Sequence, residues 1–239
     1  MKLNIHENKQ EVAKAFSEYL KERINEAEDK LHVALSGGST PKAIFDYMAE
    51  NYATDIQWNK LHLYWGDERC VPPTDAESNY KMTVDHLLSK IDFPEGNIHR
   101  ILGENEPEGE AKRYGEILND WLPTDEDGPI FDIVILGMGD DGHTASIFPY
   151  NIELWDSPEN CVTAKHPDSG QVRVSLTGKV INNAEEVVFL VTGKGKAEKV
   201  EIIVNELDGF EKYPAALVAP QTEKLTWFLD RSAAQKLEA

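Results

Sequence analysis

The stretch Ile130-Phe131-Asp132-Ile133-Val134-Ile135-Leu136-Gly137-Met138-Gly139-Asp140-Asp141-Gly142-His143 decides the fold class. Its first seven residues form an apolar run broken once by aspartate and stopped by glycine. That pattern predicts a strand over 130–136 buried on both faces, because a sheet with one wet face would alternate apolar and polar residues instead. Working outward, 31–36, 61–66 and 187–192 read as further buried strands. Between them the spacing turns helical. Val12, Ala15, Phe16, Tyr19, Leu20 and Ile24 mark a helix over about 9–28. Others are predicted from Pro41 to about 52, and over 78–90, 106–121 and 195–207. The segment 171–176 alternates like a strand, and 215–218 and 225–229 read as short closing strands. Buried strands alternating with helices imply an α/β fold, with a mostly parallel central sheet and helices on both faces. With no repeat and no Gly/Ser- or Pro-rich linker, 239 residues are read as one domain, 1–239.

Composition narrows the function. Lys plus Arg number 24 against 43 Asp plus Glu, a formal net charge of −19. Nucleic acids and anionic membrane surfaces need a basic footprint, so neither is expected as a partner. A small anion needs only a few placed cations and backbone amides. No apolar run approaches the length of a membrane span, the first residues carry no apolar signal core, and two cysteines make no disulfide framework. A reducing cytoplasm and a monomeric state are expected. The acidic stretch 104–127 reads as a solvated helix face and loop.

In open α/β sheets, ligands bind beyond the carboxyl ends of the strands, and four unusual loops lie there. Ser36-Gly37-Gly38-Ser39-Thr40-Pro41 offers backbone N–H groups and hydroxyls at a helix start, suited to phosphate, with Thr40 or Ser39 as cap and Pro41 as the first helical residue. It lacks the Gly-Lys-Ser/Thr of a Walker loop. Gly66-Asp67-Glu68-Arg69 brings a guanidinium fork that Asp67 and Glu68 could hold. Gly137 to Gly142 matches GxGxxG literally, but two adjacent carboxylates would repel a pyrophosphate and Phe148-Pro149 leaves no room for the long helix. The glycines instead turn His143 toward the pocket, one residue beyond Asp141. A neutral imidazole can take a proton near pH 7, and a carboxylate on its other nitrogen fixes the tautomer. No GxSxG elbow supports a serine nucleophile, so water is the economical one. The histidines and cysteines show no metal-ligand spacing. Lys194 and Lys196 stand at a helix start, against the dipole preference, which suggests an anion there.

LSGGSTP (35–41), GDERCVP (66–72) with Ser78-Asn79, GMGDDGHTASIFP (137–149), RVSLT (173–177) and VTGKGKA (191–197) together resemble the 6-phosphogluconolactonase branch of the glucosamine-6-phosphate isomerase/6-phosphogluconolactonase superfamily. The resemblance spans most of the chain and implies a Rossmann-like sheet, no metal and no cofactor. It implies hydrolysis of 6-phosphoglucono-δ-lactone to 6-phosphogluconate, in the oxidative branch of the pentose phosphate pathway. Carried over, Ser36, Gly37, Gly38, Ser39 and Thr40 would cradle the phosphate, with Arg173 and Lys196 as its cations and Asp67 also at the substrate. His143 would be the general base, Asp141 its orienting partner, and Arg69 a stabiliser of charge on the carbonyl oxygen. The related glucosamine-6-phosphate deaminases are the competing reading. They carry a glutamate where this chain has Phe148. A sugar-phosphate sensor without turnover is the third, and it would have no need of His143.

Overall fold

The fold is described here from a computed structural model that covers residues 1–237. Seven strands form a wholly parallel sheet in the order β1-β10-β9-β6-β2-β3-β5. They are β1 (Lys2–His6), β2 (Leu31–Leu35), β3 (Leu61–Trp65), β5 (Ile98–His99), β6 (Ile133–Leu136), β9 (Val187–Val191) and β10 (Leu225–Asp230). Every residue of β2, β3, β6 and β9 is buried, as their continuous apolar runs require. The helices around the sheet are α1 (Lys9–Glu26), α2 (Ser39–Asn51), α3 (Asn79–His86), α4 (Pro107–Trp121), α5 (Gly178–Asn182) and α6 (Ala197–Val204). Helix α1 starts where the Asn8 side chain accepts from the N–H groups of Gln10 and Glu11, and it buries Val12, Ala13, Phe16, Leu20 and Ile24. A side chain of that size contributes about 1.5–3 kcal/mol when fully buried, so this stripe outweighs the helix's polar remainder.

The chain runs from β2 outward to β3 and β5, then returns to the other side of β2 as β6 and continues to β9 and β10. The order therefore reverses between β2 and β6. A topological switch of this kind opens a crevice at the strand ends, where the loops after the two strands diverge.

A second sheet of three antiparallel strands, in the order β4-β8-β7, sits beyond that edge. It comprises β4 (Asp67–Arg69), β7 (Cys161–Lys165) and β8 (Val172–Leu176). The chain passes from one sheet to the other at Gly66. There the buried Tyr114 hydroxyl accepts from the Trp65 N–H (2.9 Å) and donates to the Trp65 carbonyl (3.1 Å). Both backbone groups stay satisfied where the parallel ladder ends, so the turn leaves no orphaned polar group.

Several expected elements differ. The strand expected over 130–136 begins at Ile133, because Asp132 is committed to accepting the His32 N–H at 2.7 Å. The helix expected to Lys90 ends at His86 and gives way to a 3₁₀ turn, Leu88–Lys90. The one expected over 195–207 is the 3₁₀ turn Lys194–Lys196 followed by α6. The closing strand expected at 215–218 is instead a 3₁₀ turn, Pro214–Leu217, since proline lacks the N–H a ladder needs. Its Ala215 N–H donates to the Gly142 carbonyl at 3.1 Å and so braces the histidine loop.

At the opposite end, His32, His62 and His99 project from three adjacent strands and are all buried. His62 Nδ1 lies 3.1 Å from His99 Nε2, and His32 Nδ1 lies 3.1 Å from the Tyr64 hydroxyl. Burial, first of all, pushes each of the three down to about 4.

Candidate active site

The crevice holds a cleft of about 220 Å³, walled by Ser36, Gly37, Gly38, Gly137, Met138 and Gly139 from the two diverging loops. Asp67, Arg69, Asn79, His143, Ala145, Arg173 and Lys196 complete its lining. It is smaller than the roughly 300–1,000 Å³ usual for drug-sized ligands, and it suits one sugar phosphate better than a dinucleotide.

His143 Nδ1 stands 2.6 Å from Asp141 Oδ1, and the same carboxylate oxygen accepts the His143 backbone N–H at 3.1 Å. The Nδ1 proton therefore faces Asp141 and leaves Nε2 as the acceptor nitrogen. Burial works to raise the Asp141 carboxyl, but the hydrogen bond from His143 and its charge outweigh it and bring the group down to about 2. Gly139 makes the pair possible: a Cβ there would lie 2.1 Å from His143 Nδ1 and 2.5 Å from Asp141 Oδ1. The imidazole packs on Phe148, ring centroids 4.5 Å apart, and Phe148 is wholly buried. The Arg173 guanidinium lies on the same phenyl ring, 5.7 Å from its centroid.

Arg69 and Arg173 are direct cross-strand partners in the small sheet, so both cations project from one face toward the cleft. Like charges placed directly opposite each other destabilise a sheet. Each also has a buried Nε without a hydrogen-bond partner. Arg173 is only 8% exposed, and burial lowers its pKa, with Asp67 opposing and Arg69 adding to the shift. Its Nη1 donates to the Ser146 hydroxyl at 3.3 Å, which in turn donates to Asp67 Oδ2 at 2.6 Å. An anion between the two guanidinium groups would relieve the repulsion.

The expectation that Asp67 and Glu68 hold the Arg69 fork is corrected. Arg69 Nη1 donates to the Glu77 carbonyl. Glu68, 2% exposed, accepts from the N–H groups of Arg69, Asn79 and Tyr80 and from the Ser78 hydroxyl, and thereby fixes the start of α3. Burial raises its pKa against those four bonds.

The Ser36–Thr40 loop divides. Ser36, Gly37 and Gly38 line the cleft, whereas the side chains of Ser39 and Thr40 do not. Ser39 accepts from Lys9 Nζ at 3.1 Å, and the buried Thr40 hydroxyl pairs with that of Thr192 at 2.8 Å. Neither caps α2: its N-cap is Gly38, and Pro41 is the third helical residue. The N–H groups of Ser39 and Thr40 belong to the first turn and have no partner within the helix, so only the backbone of these two residues is free to meet an anion. Lys196 reaches the cleft wall with its Nζ 2.6 Å from Asp140 Oδ1.

Sequence reasoning missed Asn79 and Ser146. Asn79 Nδ2 donates to the Asp67 carbonyl at 2.9 Å, and its carboxamide occupies the space a Cβ on Gly37 would take, 2.0 Å from Oδ1. Ser78-Asn79 read as a helix start and as part of the resemblance, without a place in the cleft, and the Gly37 contact has no local signal. Among the described residues no cluster of three or more His, Cys, Asp or Glu converges as metal ligands, and no helix is long and apolar enough to cross a membrane.

A parallel α/β sheet whose strand order reverses beside a glycine-rich loop, with a His–Asp pair and two arginines in the crevice, defines the Rossmann-like class. The chain belongs to the glucosamine-6-phosphate isomerases/6-phosphogluconolactonase family, whose model matches residues 7–227. It is 45% identical over 208 residues to the 6-phosphogluconolactonase of Haemophilus influenzae, covering 87% of this chain and 88% of that one. It is 43% identical over 206 residues to that of Treponema pallidum, covering 86% and 85%. The structure of 6-phosphogluconolactonase from Trypanosoma cruzi superimposes with a TM-score of 0.90 at 29% identity, covering 100% of this chain and 97% of that one.

Proposed function

We propose that this chain hydrolyses 6-phosphoglucono-δ-lactone to 6-phosphogluconate, the lactone-opening step in the oxidative branch of the pentose phosphate pathway. The observation that carries the reading is the His143–Asp141 pair at 2.6 Å in a cleft whose far wall is a cross-strand pair of arginines.

The substrate's phosphate lies on the N–H groups of the Ser36–Thr40 loop, with Arg173 and Lys196 as counter-charges. His143 Nε2 takes a proton from water as the water oxygen bonds to the lactone carbonyl carbon. Asp141 holds the imidazole in the required tautomer and stabilises the imidazolium. Arg69 faces the carbonyl oxygen as it gains negative charge. The tetrahedral adduct collapses, the ring C–O bond breaks, and His143 returns its proton to the departing ring oxygen. The new carboxylic acid ionises to solvent. A positioned base contributes typically 10²–10⁴-fold, and a charge stabiliser a similar factor. This is enough for a lactone that already opens in water. The activity resides in one domain, and the chain acts as a cytoplasmic monomer.

Phe148 favours this reading over aminosugar deamination. The position that carries a glutamate in the deaminases is here a wholly buried phenyl ring wedged between His143 and Arg173. The test is lactone hydrolysis, with lactone made in situ from glucose 6-phosphate and product followed against the spontaneous background. The expected result is a rate well above background that falls about 10²–10⁴-fold in His143→Ala. Background-level turnover by the folded protein, or full activity in His143→Ala, would overturn the assignment.

A further inference from the structure

The loop from Gly139 to Gly142 carries two consecutive carboxylates, and they part company. Asp141 turns to His143, while Asp140 turns outward to Lys196, Oδ1 to Nζ 2.6 Å. The Asp140 side chain is 76% exposed, and the Lys196 side chain it meets is 24% exposed. Among the described residues Asp140 is the one acid within ion-pair distance of Lys196. The cation at the rim of the cleft thus has an internal partner that is held by little else.

We infer that Asp140 is a built-in counterion that competes with the ligand's phosphate for Lys196 and so sets how tightly substrate and product are held. The inference rests on the reading that Lys196 meets that phosphate. An exposed ion pair is weak and easily displaced. When phosphate arrives, two anionic groups converge on one ammonium, and each lowers the other's hold on it. Hydrolysis leaves the phosphate untouched and adds a carboxylate, so whatever grips the substrate's phosphate grips the product's equally. Binding of that uniform kind lowers KM without raising kcat and slows product departure. Asp140 loosens it.

The test is Asp140→Asn in the full chain, with Glu126→Gln as control. Glu126 is an exposed acid in the loop before β6, at the opposite edge of the sheet, so its loss changes net charge equally. Inorganic phosphate and 6-phosphogluconate are titrated by calorimetry, and KM and kcat are measured on the lactone. Asp140→Asn is expected to bind both anions about two- to fivefold more tightly, with KM falling in step, while Glu126→Gln behaves as wild type. Unchanged affinity in Asp140→Asn, or equal tightening in the control, overturns the inference. Weaker binding also overturns it, because Asp140 would then be holding Lys196 in place. Failure of wild type to bind phosphate, with Lys196→Ala indistinguishable from it, removes the phosphate reading itself and the inference with it.

Discussion

Adding one methyl group at Gly139 should disable the protein nearly as completely as removing the His143 imidazole. A Cβ at that position would stand 2.1 Å from His143 Nδ1, 2.3 Å from its Cε1 and 2.5 Å from Asp141 Oδ1. Ordinary contact needs about 3.5 Å, so the ring must retreat by roughly 1.4 Å. It cannot simply slide back, because wholly buried Phe148 packs against it. The carboxylate is displaced by the same methyl, so the 2.6 Å hydrogen bond between them is lost. A misplacement of about 1 Å can cost a reaction 10²-fold, and loss of an oriented base 10²–10⁴-fold. The expected kcat for Gly139→Ala is therefore lower by about 10²–10⁴, with KM changed less than fivefold because the phosphate contacts lie elsewhere. Overpacking costs typically 1–3 kcal/mol, so the variant stays folded, which circular dichroism and a denaturant titration check. The assay couples lactone generation to 6-phosphogluconate formation. A folded Gly139→Ala with kcat within threefold of wild type would refute the argument that the glycine exists to admit the His–Asp pair.

Stability should fall as pH is lowered from about 6.5 toward 4, because the unfolded chain binds protons at His32, His62 and His99 before the folded one does. The expected loss between pH 7 and pH 5 is about 5 kcal/mol by urea denaturation, and His62→Gln should flatten that slope. Arg173→Ala should raise KM at least tenfold and at least halve the stabilisation expected of wild type with 6-phosphogluconate, about 2.7 kcal/mol at a hundred times the wild-type Kd. Retention of that stabilisation would remove Arg173 from the anion site. Glu68→Ala strands the N–H groups of Asn79 and Tyr80 at the start of α3, so stability should drop by roughly 2–4 kcal/mol, read from the denaturation midpoint.

The central strands were legible because burial on both faces leaves a compositional mark, and 31–36, 61–66 and 187–192 each lie within a residue of the observed strand. Strand β1 was not, because an edge strand needs only one buried face. Lys2, Asn4 and His6 alternate with Leu3 and Ile5, and all but Asn4 and His6 are exposed. Strand β4 reads as a charged turn. Asp67, Glu68 and Arg69 become a strand only because β8, distant in sequence, supplies the ladder. The apolar 215–218 segment misled for the opposite reason: its side chains are core-like, but Pro214 and the bond to Gly142 decide its backbone. In the site, the His143–Asp141 pairing is local and could be read from spacing. The facing arginines, the Asn79 carboxamide under Gly37 and the Asp140–Lys196 pair depend on long-range register, which no local pattern encodes.

The turn at Gly66 divides the cleft between two plates. His143 is mounted on a loop of the seven-stranded sheet, and both arginines ride on the three-stranded one. Between the plates run a backbone bond from Leu176 N–H to the Gly66 carbonyl at 2.8 Å and the Ser146 hydroxyl on Asp67 at 2.6 Å. Ser146 belongs to the histidine loop and Asp67 to the arginine strand, so this one hydroxyl acts as a rivet across the jaw. The gap between His143 and the two arginines is thus a mechanical setting of the protein. The side chains of the smaller plate can vary without disturbing the histidine loop, provided the rivet stays in its hole.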